Sequence, residues 1–184
     1  MSDPNDLASY VDQAWQVLGR GVADAKSPAR HPVFATVSPD GRPEARTVVL
    51  RGASRSTATL EVHTDTTSAK TTSLSATPLC ELHVWEQRRR LQLRLGCRVE
   101  AGTGPETAGR WARVPPASRI SYGTQPAPGT PSDHEFAYEK PADPDRFAVL
   151  ICHLQRLDLV ELGEKHRRAL FLIEDGFKGV WLAP

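Results

Sequence analysis

Arg90-Leu91-Gln92-Leu93-Arg94-Leu95-Gly96-Cys97-Arg98-Val99-Glu100 is the stretch on which the fold turns. Leu91, Leu93, Leu95, Cys97 and Val99 alternate with Arg90, Gln92, Arg94, Arg98 and Glu100. Successive side chains of a strand point to opposite faces, so this order buries one apolar face and presents a polar one. A helix would scatter the same leucines around its circumference. A strand with one buried and one polar face belongs to an antiparallel sheet.

Upstream, Cys80–Trp85 and Thr59–Thr64 read as two further strands. Before them, Val33–Val37 turns at Pro39-Asp40-Gly41 into Glu44–Arg51, a hairpin. Downstream, Phe147–Leu154, Leu157–Leu162, Ala169–Ile173 and Gly179–Leu182 are strands, with Asp175-Gly176 as the last turn. Leu7, Tyr10, Val11, Ala14, Val17 and Leu18 recur at helical spacing behind Asp3-Pro4, which predicts a first helix over 4–25. Thr67–Ala76 opens with hydroxyls and continues with alanine and leucine, a short helix. Residues 105–122 read as two helical pieces broken at Pro115-Pro116, and 125–145 as a long loop. The expected architecture is mainly β: an antiparallel barrel with peripheral helices, one domain over 1–184, an N-terminal helix within 1–28 and a helical and loop insertion at 103–145. There is no internal repeat and no glycine-rich dinucleotide or triphosphate loop, which argues against a parallel doubly wound sheet.

With 39% hydrophobic and 24% charged residues, the chain has the balance of a folded globular protein. Lys and Arg number 23 against 22 Asp and Glu, so net charge points to neither nucleic acid nor an anionic membrane. Cys80, Cys97 and Cys152 lack paired metal-ligand spacing and read as buried free thiols in a reducing compartment. The acidic start carries no secretory pattern, and no stretch approaches the roughly 18 apolar residues of a membrane span. The cytoplasm is the expected location.

Local chemistry concentrates in Thr64-Asp65-Thr66-Thr67-Ser68-Ala69-Lys70. A phosphate seeks hydroxyl and backbone N–H donors at a helix start together with one or two cations, and Arg46, Arg51, Ser68 and Lys70 supply them. Taken alone, the segment reads more readily as a capped surface helix with an exposed lysine, because hydroxyl-rich helix starts are common. Arg46 and Arg51 fall on opposite faces of an unbulged strand and do not serve one site from the same side. The polar face of Arg90, Gln92 and Arg94 suits either solvent or a ligand. None of His31, His63, His83, His134, His153 and His166 pairs through a zinc-binding helix motif, so no metal site is expected. No serine sits in a nucleophile elbow. Trp85, Trp111 and Trp181 are able to stack on a ring or simply to pack.

Taken in order, these segments resemble the pyridoxamine 5′-phosphate oxidase-like family of flavin mononucleotide (FMN)-binding split barrels. Arg46-Thr47-Val48-Val49-Leu50-Arg51 is similar to the family's Arg-x-Val-Leu-Leu-Lys strand, and His63 to Lys70 to its Tyr-Thr-Asn-x-x-Ser-Arg-Lys segment. Trp85 with Leu91-Gln92-Leu93-Arg94 is similar to its Trp…Arg-Gln-Val-Arg strand, and Trp181-Leu182-Ala183-Pro184 to its closing Arg-Leu-x-Pro. The resemblance implies a homodimer with FMN at the subunit interface. Arg46, Ser68 and Lys70 would take the phosphate, with His63, Thr64 and the terminal Arg51 beside it; the Thr47, Val48, Val49, Leu50 backbone would hold the ring edge and Gln92 would hydrogen-bond the ring. It further implies an FMN-dependent oxidoreductase in which the flavin accepts hydride and no side chain is a dedicated acid or base.

The departures are specific. Ala69 replaces a phosphate-binding arginine, His63 a tyrosine and Cys97 a common glycine. Where the family's oxidases grip the vitamin phosphate with Arg-Leu-His-Asp-Arg, this chain has Glu164-Lys165-His166-Arg167-Arg168, so only His166 and Arg168 carry over and a different substrate is implied. Ser118, Arg119 and Tyr122 fall in the segment that lines the substrate side, or belong to an ordinary surface helix. Two rivals stay open: a split barrel that holds FMN, haem or a deazaflavin without turnover, and a cofactor-free dimer.

Overall fold

Seven strands run side by side in the order β2-β1-β5-β6-β7-β4-β3, with β8 on β7 and β9 on β8, every pairing antiparallel. In this computed structural model, which describes residues 6–184, the strands are β1 Val33–Val37, β2 Pro43–Thr47, β3 Leu50–Ser54, β4 Thr59–Asp65, β5 Leu79–Glu86, β6 Leu91–Thr103, β7 Phe147–Glu161, β8 Arg167–Leu172 and β9 Val180–Leu182. The helices are α1 Leu7–Ala23, α2 Ala69–Ala76, α3 Ala108–Arg113 and α4 Pro116–Arg119.

The expected strand Glu44–Arg51 is in fact two. β2 pairs with β1 at one end of the path and β3 with β4 at the other, and only Val48 and Val49 join them. Two residues reach about 10 Å between their flanking Cα atoms. The sheet must therefore curl until its margins nearly meet, and because β2 and β3 do not pair, the barrel stays split. Val48 N donates to Pro32 O (3.0 Å) within this link.

Phe147–Leu154 and Leu157–Leu162, read as separate strands, form one continuous β7. Its first half pairs with β4 and its second with β8, while β6 runs along nearly all of it. Gly96 lies opposite Arg156 but Cys97 opposite Leu154, so Gln155 is the extra residue of a bulge. That polar pair, Gln155-Arg156, is what breaks the apolar pattern in the sequence.

The predicted inner face of β6 is buried at Leu91, Leu93, Leu95, Cys97 and Val99, and they join Phe34, Leu82, Leu157 and Phe171 in the main core. α1 covers that core with Tyr10, Val11, Ala14, Val17 and Leu18 and contacts β3. Its cap is Asp6, which accepts from Ser9 N; the expected cap Asp3-Pro4 lies outside the described residues. A smaller core of Val114, Tyr122, Phe147 and Val149, flanked by Trp111, sits beneath the segment between β6 and β7. The three cysteines are free and buried, Cys80 facing Cys97 across β5 and β6. Among the described residues no helix is long and apolar enough to cross a membrane.

Candidate functional site

β4 ends in Thr64-Asp65, and after three residues α2 begins, so the chain turns sharply between them. Thr64 and Ser68 are both buried, their oxygens 3.1 Å apart, and Lys70 Nζ donates to Thr64 Oγ1 at 2.9 Å. Arg46 arrives from β2, where it sits opposite Phe34 and turns toward the core side of the sheet. It donates to Thr36 Oγ1 (2.7 Å), to the Phe34 carbonyl (3.3 Å) and to Glu44 (2.8 Å), and Glu44 also accepts from Ser73 of α2 (3.2 Å). Burial and the neighbouring Arg46 lower the pKa of Lys70, with Asp65 opposing them. Two cations crowded together beside two buried hydroxyls form a ready-made place for a dianion.

Arg51 is not part of this group. It lies beyond the Val48-Val49 link, in a cavity of about 320 Å³ lined also by Glu61, His63, Arg110 and Arg113. Glu61 accepts from Arg110 Nε (3.0 Å) and from His63 Nε2 (2.8 Å). His63 packs edge-on against Phe147, its ring centroid 4.9 Å away. Burial, chiefly, holds the His63 pKa below the ordinary histidine range, with Arg51 and Arg110 acting in the same sense and Glu61 against. His63 Nδ1 and Arg51 Nε are buried without hydrogen-bond partners. Three guanidiniums against one carboxylate make the cavity positive, which suits an anionic occupant.

The residues assigned to the substrate side divide. Tyr122 is buried between Trp111 and Phe147; burial raises its pKa and the Arg51 guanidinium beside its hydroxyl works against that rise. Ser118 is half-buried on α4. Arg119 is engaged in local structure, donating to the carbonyls of Val114 (3.0 Å) and Ala112 (3.1 Å) and lying over the Trp111 ring. His166 is exposed in the β7–β8 turn, and Arg168 donates to the buried Asp158 at 2.8 and 3.1 Å. Asp158 also takes Arg94, which reaches on to Glu81 (3.0 Å).

Gln92 is opposite Trp85 and Val160, and Val160 opposite Arg168, so these residues share one rung on the outer face of the sheet. Arg46 belongs to the rung of Phe34, Leu82, Leu95 and Leu157 on the inner face. Within one chain Gln92 and Arg168 thus lie across the sheet from the Arg46–Lys70 group. Of the tryptophans, Trp111 packs on Phe147 (5.3 Å) and Trp181 on Tyr10 (5.5 Å), while Trp85 donates to Gln87.

Sequence reasoning missed Arg110, Arg113, Glu61 and the pair Asp65–Arg146. Arg110 and Arg113 stand three apart on a short helix and so share a face, the one local signal available.

Residues 12–101 match the family model described as pyridoxamine 5′-phosphate oxidase, FMN-binding domain. The chain is 26% identical over 175 residues to pyridoxine/pyridoxamine 5′-phosphate oxidase 2 of Arabidopsis thaliana, covering 83% of this chain and 85% of that one. A crystal structure of a pyridoxamine 5′-phosphate oxidase-related, FMN-binding protein from Nostoc punctiforme superimposes with a TM-score of 0.78 at 27% identity, over the whole of both chains. PhzG from Burkholderia lata, solved with tetrahydrophenazine-1-carboxylic acid, shares the fold with a TM-score of 0.72 at 16% identity, covering 100% of this chain and 95% of that one.

Proposed function

We propose that the chain is an FMN-dependent oxidoreductase of the pyridoxamine 5′-phosphate oxidase-like family of split barrels, acting on a small anionic substrate. The observation that carries this reading is the convergence of Arg46, Thr64, Ser68 and Lys70 on one spot, although they come from β2, β4 and the start of α2. Their donor set fits a phosphate monoester, with two cations for its charge and two hydroxyls for its oxygens. The Thr47 to Leu50 backbone, at the split, offers an edge for the flavin ring. When bound, the flavin would supply hydride acceptance, and the chain would supply binding, orientation and electrostatics.

Arg51, Arg110 and Arg113 would hold the substrate's carboxylate or phosphate, with the Tyr122 hydroxyl beside Arg51. Arg168 already donates to Asp158, which counts against a grip on the phosphate of pyridoxamine 5′-phosphate.

The working unit is a homodimer of single-domain chains. Gln92 lies on the opposite face of its own sheet from Lys70, so a second copy must bring its Gln92 to the ring. That outer face carries an apolar hollow of about 710 Å³, with Val37, Leu79 and Ile173 exposed around it, which a second copy would cover. The expected setting is the cytoplasm, where Cys80, Cys97 and Cys152 stay reduced.

The test is a titration of cofactor-stripped protein with FMN and with riboflavin, followed by flavin fluorescence. Saturable binding of one FMN per chain, tighter than riboflavin, supports the reading. Equal or absent binding of the two sinks the phosphate site.

A further inference from the structure

Asp65 stands at the hinge between the phosphate-type turn and the segment on the substrate side, and its side chain is 5% exposed. One oxygen accepts from Thr67 N (2.8 Å) and Thr67 Oγ1 (2.8 Å), which shapes the turn between Thr64 and Lys70. The other accepts from Gly123 N (2.8 Å), the residue after Tyr122. Arg146 donates to the carboxylate through Nε (3.1 Å) and Nη2 (3.0 and 3.2 Å), and Thr66 N donates back to the Arg146 carbonyl (2.8 Å). Arg146 also bonds Thr67 Oγ1 and the Thr124 carbonyl. Burial works against the charge of Asp65, yet these bonds keep its carboxyl below the ordinary carboxylate range.

One carboxylate therefore ties the turn that carries Ser68 and Lys70 to two separate points of the chain between β6 and β7. Gly123 has φ +118°, where a side chain would strike the Pro141 carbonyl, so the segment folds back on itself at the point Asp65 grips. Tyr122, one residue earlier, has its hydroxyl beside Arg51, which lines the arginine-rich cavity.

We propose that Asp65 is a positioning residue that couples phosphate occupancy of the turn to the ordering of residues 121–146 on the substrate side. The inference rests on the FMN reading above. A phosphate drawing on Ser68 and Lys70 fixes the turn; the same Asp65 then fixes Gly123 and Arg146, and linkage makes the effect reciprocal. Riboflavin lacks the phosphate and does not engage this device. Cofactor binding thereby prepares the wall against which the substrate rests.

Hydrogen exchange read by mass spectrometry on the full chain tests it, with the protein stripped, saturated with FMN or saturated with riboflavin. In the native protein FMN is expected to slow exchange across 121–146 by about tenfold, within the usual range of coupling between sites, and riboflavin to leave it unchanged. Asp65→Asn is expected to bind FMN more weakly and, when saturated, to show no slowing in that segment. A purely structural role would speed exchange in the stripped variant and leave the FMN-dependent slowing intact. Should Asp65→Asn fail to fold by circular dichroism, Arg146→Gln carries the same comparison. Equal slowing by riboflavin and FMN in the native protein, or undiminished slowing by FMN in the folded variants, overturns the coupling. If the native protein shows no flavin binding by fluorescence, the FMN reading itself has failed and the coupling falls with it.

Discussion

Lys70 Nζ and Thr64 Oγ1 are 2.9 Å apart, although a turn and the start of a helix separate them, and the ammonium so placed is crowded by Arg46. An anion arriving there relieves the repulsion between the two cations. Lys70→Ala should therefore weaken FMN by about 1–3 kcal/mol, the range of a hydrogen bond to a charged group, and leave riboflavin unaffected. Because burial and Arg46 depress the Lys70 pKa and a dianion would raise it, FMN binding should take up protons as pH rises toward the ordinary lysine range. Calorimetry in buffers of different ionisation enthalpy measures that uptake; a proton count of zero contradicts it.

The placement of Gln92 across the sheet from Lys70 yields a complementation experiment. Lys70→Ala and Gln92→Ala chains should each bind FMN poorly as homodimers. Unfolded and refolded together in equal amounts, they should recover native affinity at about one site in four, because one site of each mixed dimer has both residues intact. No recovery would mean that the two residues act within one chain or not at all.

His63 sets a pH signature. Burial depresses its folded pKa below the unfolded value of about 6.5, so its contribution to stability is complete above that value and is lost as pH falls from there through the folded pKa. Chemical denaturation at several pH values between 7 and 5 should show stability falling in the native protein. In His63→Phe that part of the fall should vanish, and an unchanged slope would show that His63 is not its source.

Gly123 is conformationally required. Alanine there would hold φ +118° with its Cβ 2.3 Å from the Pro141 carbonyl oxygen, so Gly123→Ala should cost about 2 kcal/mol or more, seen as a lowered urea midpoint. A variant of native stability would mean that the 121–146 segment shifts freely at this point.

Much of this architecture is readable from local pattern. The alternation of Leu91 to Val99 identifies the buried face of β6, and the hydroxyl-rich run from Thr64 to Lys70 identifies the turn, because in both cases neighbours in sequence share one environment. Val48-Val49-Leu50 misleads for the same reason: an apolar run continues a strand locally, and only the partners on either side reveal that the chain has crossed from one margin of the sheet to the other. The Gln155 bulge reads in the sequence as a gap between strands because its polar residues interrupt a core pattern that the backbone does not interrupt. The arginine-lined cavity assembles Arg51, Glu61 and Arg110 from three elements, and Asp65 meets Arg146 across 81 positions, distances over which no spacing rule operates.

Val48 and Val49 carry a last implication. They are the seam between β2 and β3, the two ends of the seven-strand path, with Arg46 on one hem and Arg51 on the other. A molecule laid along this seam works as a stitch: the barrel cannot be unrolled without first tearing it from one side. The strength with which such a molecule is held then becomes mechanical resistance to opening, and the loaded protein should yield to pulling or heat only after its occupant has left.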